Sequence, residues 1–99
     1  MGNQKKYGLF YERKRKKELE EQGFTVMRCR GSFGIFDIIA CHKAKWVLES
    51  IKSTKSKKFY SNNDKKIIEQ FNNAPLGTVK RLVVYTRGIR SIEYEGEIK

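Results

Sequence analysis

Along the chain the apolar positions change period, and each change marks an element. Residues 4–22, QKKYGLFYERKRKKELEEQ, are strong helix formers without proline, and Gly23 supplies the stop. The apolar face of this helix is thin: Tyr7, Phe10 or Tyr11, then Leu19, with Arg15 and Lys16 between. FTVMRCR (24–30) alternates Phe24, Val26 and Arg28 with Thr25, Met27 and Cys29, which predicts a strand. GSFG (31–34) predicts a turn, and IFDIIAC (35–41) a second, mostly apolar strand. HKAK is a tight connection into a third strand, WVLESIK (46–52). Short strands with short links imply an antiparallel meander or hairpin series. STKSKKFYSNN (53–63) is polar and basic and reads as a loop. DKKIIEQFNN (64–73) is a helix that Asp64 or a preceding Asn can cap, with Ile67, Ile68 and Phe71 as its buried stripe. APLGT breaks it, and KRLVVYT (80–86) is a buried strand. RGIR turns the chain, and SIEYEGEIK alternates Ile92 and Tyr94 with Glu93 and Glu95, as an exposed edge strand does. The order α-β-β-β-α-β-β predicts a single α/β domain over 1–99, a mixed sheet flanked by two helices.

Charge changes the picture more than length does. A chain of 99 residues, 38% hydrophobic and 12% aromatic, suits one domain with a small core and not a disordered tail. A net charge of +11 repels itself in an isolated domain and makes sense against a polyanion such as DNA or RNA. An anionic membrane surface is the alternative, although no stretch is apolar enough to span a bilayer. MGNQKKYGLF lacks the apolar run of a secretory signal, and MGNQKK has Lys where a myristoylation start wants Ser or Thr. Cys29 and Cys41 then read as free thiols of a reducing, cytoplasmic setting. With adjacent His42 they lack the fourth ligand and the spacing of a zinc site. In the first helix the bases come early and Glu18, Glu20 and Glu21 late, against the macrodipole. Either the basic segment meets phosphate, or its long stems cover the core.

Asp37 is the sharpest single residue, because two apolar residues flank it on each side in GIFDIIA. A carboxylate there is desolvated at considerable cost unless it is paired or bound to a cation. The plainer reading is an Asp at a strand end, bonded to backbone or paired with Arg28 or Arg30. The sharper reading uses its neighbours. Phosphodiester hydrolysis needs a divalent cation to activate water and offset charge, and magnesium is usually held by one or two acids. A Lys beside the cation orients water or stabilises the anion. Asp37, the ESIK segment and Glu12 of the first helix could supply that minimal set.

The stretch YERKRKKELEEQGFTVMRCRGSFGIFDIIACHKAKWVLESIKSTK, from about Tyr11 to Lys55, resembles the archaeal Holliday junction resolvases of the PD-(D/E)xK nuclease superfamily. The family's pattern is a helix with Y-E-R, then L-E-E-x-G-F-x-V-x-R, a G-S turn, a strand with Asp, and a strand with Glu-x-Lys followed by polar or basic residues. The resemblance implies the restriction-endonuclease-like fold and a dimer that cuts four-way DNA junctions with magnesium or manganese. It makes Glu12 the helix acid that helps hold metal and water. It makes Ser32 the turn Ser near the scissile phosphate, Asp37 the first metal ligand and Lys52 the active-site Lys. Arg28 and Arg30 before the turn, and Lys55, Lys57 and Lys58 after the site, then track the phosphate backbone. Phe59 and Tyr60 either stack on unpaired bases or pack in the core. The exposed last strand or the first helix would supply the dimer surface.

Two departures stand out. Ser50 occupies the place of the second metal-binding Glu, and the acid is Glu49, one position early. Strand alternation puts Glu49 with Val47 and Ile51, on the side away from Ser50 and Lys52. Arg15 and Lys16 stand where the family tends to have apolar core residues. Three outcomes remain open: a β-bulge returns Glu49 to the metal; Ser50 and water replace the carboxylate; or the protein binds DNA without cutting. The expectation is therefore a structure-selective DNA endonuclease with an atypical or compromised metal site. The alternatives are a catalytically inactive DNA-binding protein of the same fold and, more weakly, a protein-interaction subunit.

Overall fold

Helix α1 (Gly2–Glu21) ends in a Schellman motif. Gly23 takes φ 97°, its N–H donates to the Glu20 carbonyl at 3.0 Å, and Phe24 N–H donates to the Leu19 carbonyl at 3.1 Å. The expected stop is the observed one. The computed structural model describes residues 2–29, 35–55 and 62–99, with the side chains of 2–8 and 62 left aside. Expectations for Arg30, Ser32, Lys57, Lys58, Phe59 and Tyr60 lie outside the described residues.

After α1 come β1 (Thr25–Arg28), β2 (Ile38–His42), β3 (Lys45–Thr54), α2 (Asn62–Gln70), β4 (Val79–Thr86) and β5 (Ile89–Glu97). They form one five-stranded sheet in the order β1-β2-β3-β4-β5. The first three strands are the antiparallel meander the short links imply. α2 carries the chain across so that β4 runs parallel to β3, and β5 returns antiparallel as the edge. Arg87 (φ 51°) and Gly88 (φ 84°) make the two-residue turn of that last hairpin. Positive φ at both central positions matches the twist of the strands.

Several boundaries shift for physical reasons. β2 starts at Ile38, so Asp37 stands just before the strand and not within it. β3 runs on through Ser53 and Thr54, which were expected in the loop, because they pair with Tyr85 and Thr86 of β4. α2 starts at Asn62, placing Asp64 inside the first turn, where its charge meets the positive end of the helix. It also ends early: Lys80 Nζ donates to the Glu69 and Phe71 carbonyls, each at 2.8 Å, and so caps the helix end from β4.

The sheet is covered on both faces. α1 packs Leu19 over Val26, Ile38, Ala40, Val47, Ile51, Val83 and Tyr85. α2 packs Ile68 with Phe36, Leu48, Leu82 and Val84 on the other face, and Phe71 adds a partly buried ring. Ile67, expected in that stripe, is on the exposed flank. Alternation along β3 therefore has a simple reading: Val47, Glu49 and Ile51 face α1, and Leu48, Ser50 and Lys52 face the other way.

Candidate metal and nucleic-acid site

The strand ends nearest the start of β2 hold Asp37 in a backbone clamp. Its N–H donates to the Glu49 carbonyl at 2.9 Å, and its carboxylate Oδ2 accepts from Ile51 N–H at 2.7 Å. These two bonds bracket Ser50. On the β1 side, Cys29 N–H donates to the Asp37 carbonyl at 2.8 Å. The residue is thus fixed by backbone from two strands, with its carboxylate half-buried.

Burial pushes the Asp37 carboxyl above its usual range; the Ile51 N–H and the charge of nearby Lys52 pull against that. Glu12 of α1 is also pushed up, first by burial and then by the negative charge of Asp37, with Arg28 opposing. The Cys29 thiol is raised by burial and by both acids. Glu12, Cys29, Arg28, Asp37 and Lys52 therefore form one electrostatic neighbourhood. Arg28 Nε lies 3.7 Å from the Glu12 carboxylate, an ion pair too long for a hydrogen bond, and that nitrogen is buried without a hydrogen-bond partner among the described residues. Arg28, expected on phosphate, is committed at least in part to Glu12. Lys55 is exposed at the end of β3, with its carbonyl accepting from Arg87 Nε at 3.1 Å.

Glu49 is elsewhere. Its pairings run without interruption, to Ile38 of β2 and to Arg81 of β4, and Ser50 follows in register opposite Leu82. The register shift of the sheet lies between Leu82 and Val83 against β5. No bulge returns the Glu49 carboxylate to Lys52, so the first of the three outcomes is not the observed one. The side chain points toward α1 and is 0% exposed. Arg15 binds it with both prongs, Nε to Oε1 at 2.7 Å and Nη2 to Oε2 at 2.9 Å, and Arg81 adds a third bond at 3.0 Å. Both carboxylate oxygens are occupied by guanidinium groups, which leaves Glu49 ill placed as the metal ligand it was expected to be.

Arg15 explains itself through the same pairing. It lies 3% exposed between Tyr11 and Leu19 on the inward stripe of α1. Burial alone would lower its pKa, but its bonds to Glu49 and Glu18 outweigh that and hold it charged. Lys16 pairs with Glu20 at the surface at 3.0 Å, whereas Glu49 and Arg15, one from each departure read from the sequence, form one structural feature. Glu18 extends it: its carboxylate accepts from Arg15 (3.2 Å), the Tyr85 hydroxyl (2.9 Å) and Arg90 (2.7 Å). Burial would raise the Glu18 pKa, and these three donors more than reverse it. Glu18, Arg81, Tyr85 and Arg90 carry no signal in the sequence, because their roles depend on pairings across the fold.

Among the described residues no three His, Cys, Asp or Glu side chains gather as a metal cage. Two acids share one field: Asp37 and Glu12 are each raised by burial, and Glu12 also by the Asp37 charge. A hard divalent cation that keeps several waters needs no more protein ligands than that. The donor chemistry fits such an ion with Glu49 left out.

The sequence model of the family described as archaeal Holliday junction resolvase (Hjc) matches residues 3–88. A relative, the crossover junction endodeoxyribonuclease Hjc of Methanocaldococcus jannaschii, is 39% identical over 57 residues, which are 58% of this chain and 42% of that protein. The chain therefore spans less than half the length of this curated relative. A five-stranded mixed sheet with helices on both faces is consistent with the restriction-endonuclease-like fold of that family.

Proposed function

The chain belongs to the archaeal Holliday junction resolvase family, and on that premise we propose that it is a structure-selective DNA endonuclease with a metal site reduced to two carboxylates. The observation that carries this reading is the backbone clamp on half-buried Asp37, with Glu12 and Lys52 in its field, in a chain with a net charge of +11. Asp37 and Glu12 would hold a magnesium or manganese ion. When bound, such an ion would supply an activated water and offset the negative charge on the phosphoryl oxygens. The clamp on Asp37 orients its free oxygen without cost at the moment of reaction. Lys52, whose charge acts on Asp37, would hold a phosphate oxygen or a water. Ser50, opposite Asp37, has the position from which a second acid would act, with a short hydroxyl in its place. A junction has symmetric strands to cut, so a homodimer with two such sites is part of the proposal.

Cleavage of a synthetic four-way junction with magnesium or manganese tests it. The expected result is metal-dependent nicking that Asp37→Asn abolishes while junction binding survives. A second reading, a binding protein that does not cut, is favoured by one observation, the capture of Glu49 by Arg15 and Arg81. Junction binding without nicking under either metal would select it. Absence of salt-dependent binding to any nucleic acid would remove both.

A further inference from the structure

The chain partners many of its cations internally. Arg15, Lys16, Arg28, Arg81 and Arg90 each reach a carboxylate, and Lys80 caps α2. Arg13, Lys14 and Lys17 do not: they are exposed, and none has an acidic partner among the described residues. Their spacing with Phe10 is i, i+3, i+4, i+7, which puts all four on one side of α1. Tyr11, Arg15 and Leu19 occupy the buried side, so this ridge faces away from the sheet. Lys14 stands at its inner margin, with its ammonium 5.8 Å from the centre of the Tyr85 ring. Phe10 is 58% exposed beside the three cations. It and Leu9 form a shallow apolar trough with the stems of Arg13, Lys14 and Lys17. Tyr11 meets the Phe10 ring edge-on at 5.1 Å and stacks on Tyr85 at 4.6 Å, so the exposed ring stands on a braced base.

Surface charge elsewhere restricts what can lie on this ridge. Exposed Glu20 and Glu21 end α1, and exposed Glu93, Glu95 and Glu97 line β5. Lys16 balances Glu20 and Arg81 balances Glu95, while Glu21, Glu93 and Glu97 repel a polyanion and leave the first part of α1, the part that carries Glu12, among the places open to one. Over seven residues the ridge is about 10 Å long, or roughly three phosphate steps of one DNA strand.

We propose that the outer ridge of α1, Arg13, Lys14 and Lys17 with Phe10, is a second DNA-binding surface, gripping the phosphates of a strand at a branch point while Phe10 stacks on a base unpaired there. This rests on the nuclease reading but adds a surface on the side of α1 that faces away from Glu49 and the sheet. Branched DNA presents more than one strand to one protein, which a two-surface grip exploits. An exposed aromatic ring is useful where bases are unstacked and adds little on an intact duplex.

The test is anisotropy binding to a four-way junction and to the matching linear duplex, in EDTA, across roughly 50–200 mM salt. In the triple variant Arg13→Gln, Lys14→Gln, Lys17→Gln, the slope of log K against log salt becomes shallower by about 2.7, at about 0.9 for each phosphate no longer neutralised. The control removes the same charge from exposed Lys45, Lys66 and Lys99, each to Gln, and keeps the wild-type slope. Gln is a good helix former, and thermal melts verify that each variant folds. Phe10→Ala weakens junction binding about tenfold and duplex binding less. Equal slopes in the two triple variants, or equal weakening on junction and duplex for Phe10→Ala, would overturn the proposal. So would wild-type binding to phosphatidylserine vesicles as tight as to the junction, which would make the ridge a lipid-facing surface. If the wild type binds the junction in EDTA and cuts it once magnesium or manganese is added, while the ridge variant keeps its slope, the ridge alone falls; if the wild type binds no DNA, the nuclease reading falls with it.

Discussion

Asp37, just before β2, and Glu49, on neighbouring β3, are acids joined by a backbone bond, with opposite electrostatic fates. Glu49 is sealed from water and receives three guanidinium hydrogen bonds. Asp37 is only partly covered, receives one backbone N–H, and has a second acid, Glu12, in its field. The first arrangement is complete within the fold. The second has Lys52 and Arg28 in its field, but no guanidinium bonds the Asp37 carboxylate among the described residues. A buried carboxylate becomes a structural element when arginines from two other elements converge on it, and becomes a candidate cation ligand when they do not. Substitutions that disturb one side of this contrast should therefore behave unlike those that disturb the other.

The largest effect is expected at Glu49. Glu49→Ala leaves buried Arg15 with only its 3.2 Å contact to Glu18, a loss on the order of 3–5 kcal/mol. For a domain of this size each kcal/mol shifts the melting temperature by roughly 4–8 °C. Thermal melts followed by circular dichroism should show most of the stability gone. Replacing both members, Arg15→Met with Glu49→Met, should restore stability to near or above wild type, since apolar residues of similar volume can replace a buried ion pair. Arg81 retains Glu95 in that variant. A double variant as unstable as the single one would mean that the charges do more than satisfy each other.

Next comes Ser50→Glu, which puts an acid on the Asp37 side while Glu49 stays with its arginines. Ser50 is 2% exposed, so the longer side chain should cost about 1–3 kcal/mol in metal-free buffer. Manganese should then restore more stability to this variant than to the wild type, because each added ligand charge tightens a hard-cation site. Calorimetric titration with manganese reads the affinity directly. If the affinity is the same as wild type, position 50 does not reach the cation and the two-carboxylate site is misplaced.

These residues also show how far the sequence can be read. Gly23 and the Arg87–Gly88 turn are legible because one local φ requirement determines each. The antiparallel meander of β1, β2 and β3 follows from periodicity and short links, while the parallel place of β4 beside β3 depends on the crossover through α2. Asp37 is legible because an acid amid apolar residues violates its pattern. Glu49 and Arg15 violate theirs too, but in the sequence they look like two separate oddities. Their link needs α1 laid across β3, and its third member, Arg81, is 32 residues away from Glu49 in sequence. Opposite charges at two positions that pattern assigns to the core are the available signal. Ile67 departs from expectation for the opposite reason: apolar composition does not say which flank of α2 meets the sheet.

A smaller effect concerns pH. Asp37 and Glu12 have folded pKa values above their unfolded ones. The native state therefore holds more protons there, and the stability these groups contribute is fully present below the unfolded carboxylate range, about 4. It is lost as pH rises through the folded values. Glu18 has the opposite sign: its contribution is present above that range and lost as pH falls. Asp37→Asn removes one of the raised groups. Its urea midpoint relative to wild type should climb as pH goes from about 4 to 7, and its melting temperature should no longer respond to manganese. A relative midpoint that stays flat with pH would mean that Asp37 is already neutralised within the fold.

The smallest effect is expected at Glu95, which meets Arg81 Nε at 2.5 Å but is 53% exposed. Arg81 stands between the two environments: its Nη1 reaches sealed Glu49, and its Nε reaches this solvated partner on β5. An exposed ion pair contributes about 0–1 kcal/mol, because water and salt screen it and two long side chains must be held still. Glu95→Gln should therefore shift the urea midpoint barely, and less still at high salt. The same change of one carboxylate to an amide at Glu49 should be several times more costly, although both acids bind the same guanidinium. Comparable effects would mean that Arg81 is fixed from the solvent side, and that burial is not what separates Glu49 from the ordinary surface acids of this chain.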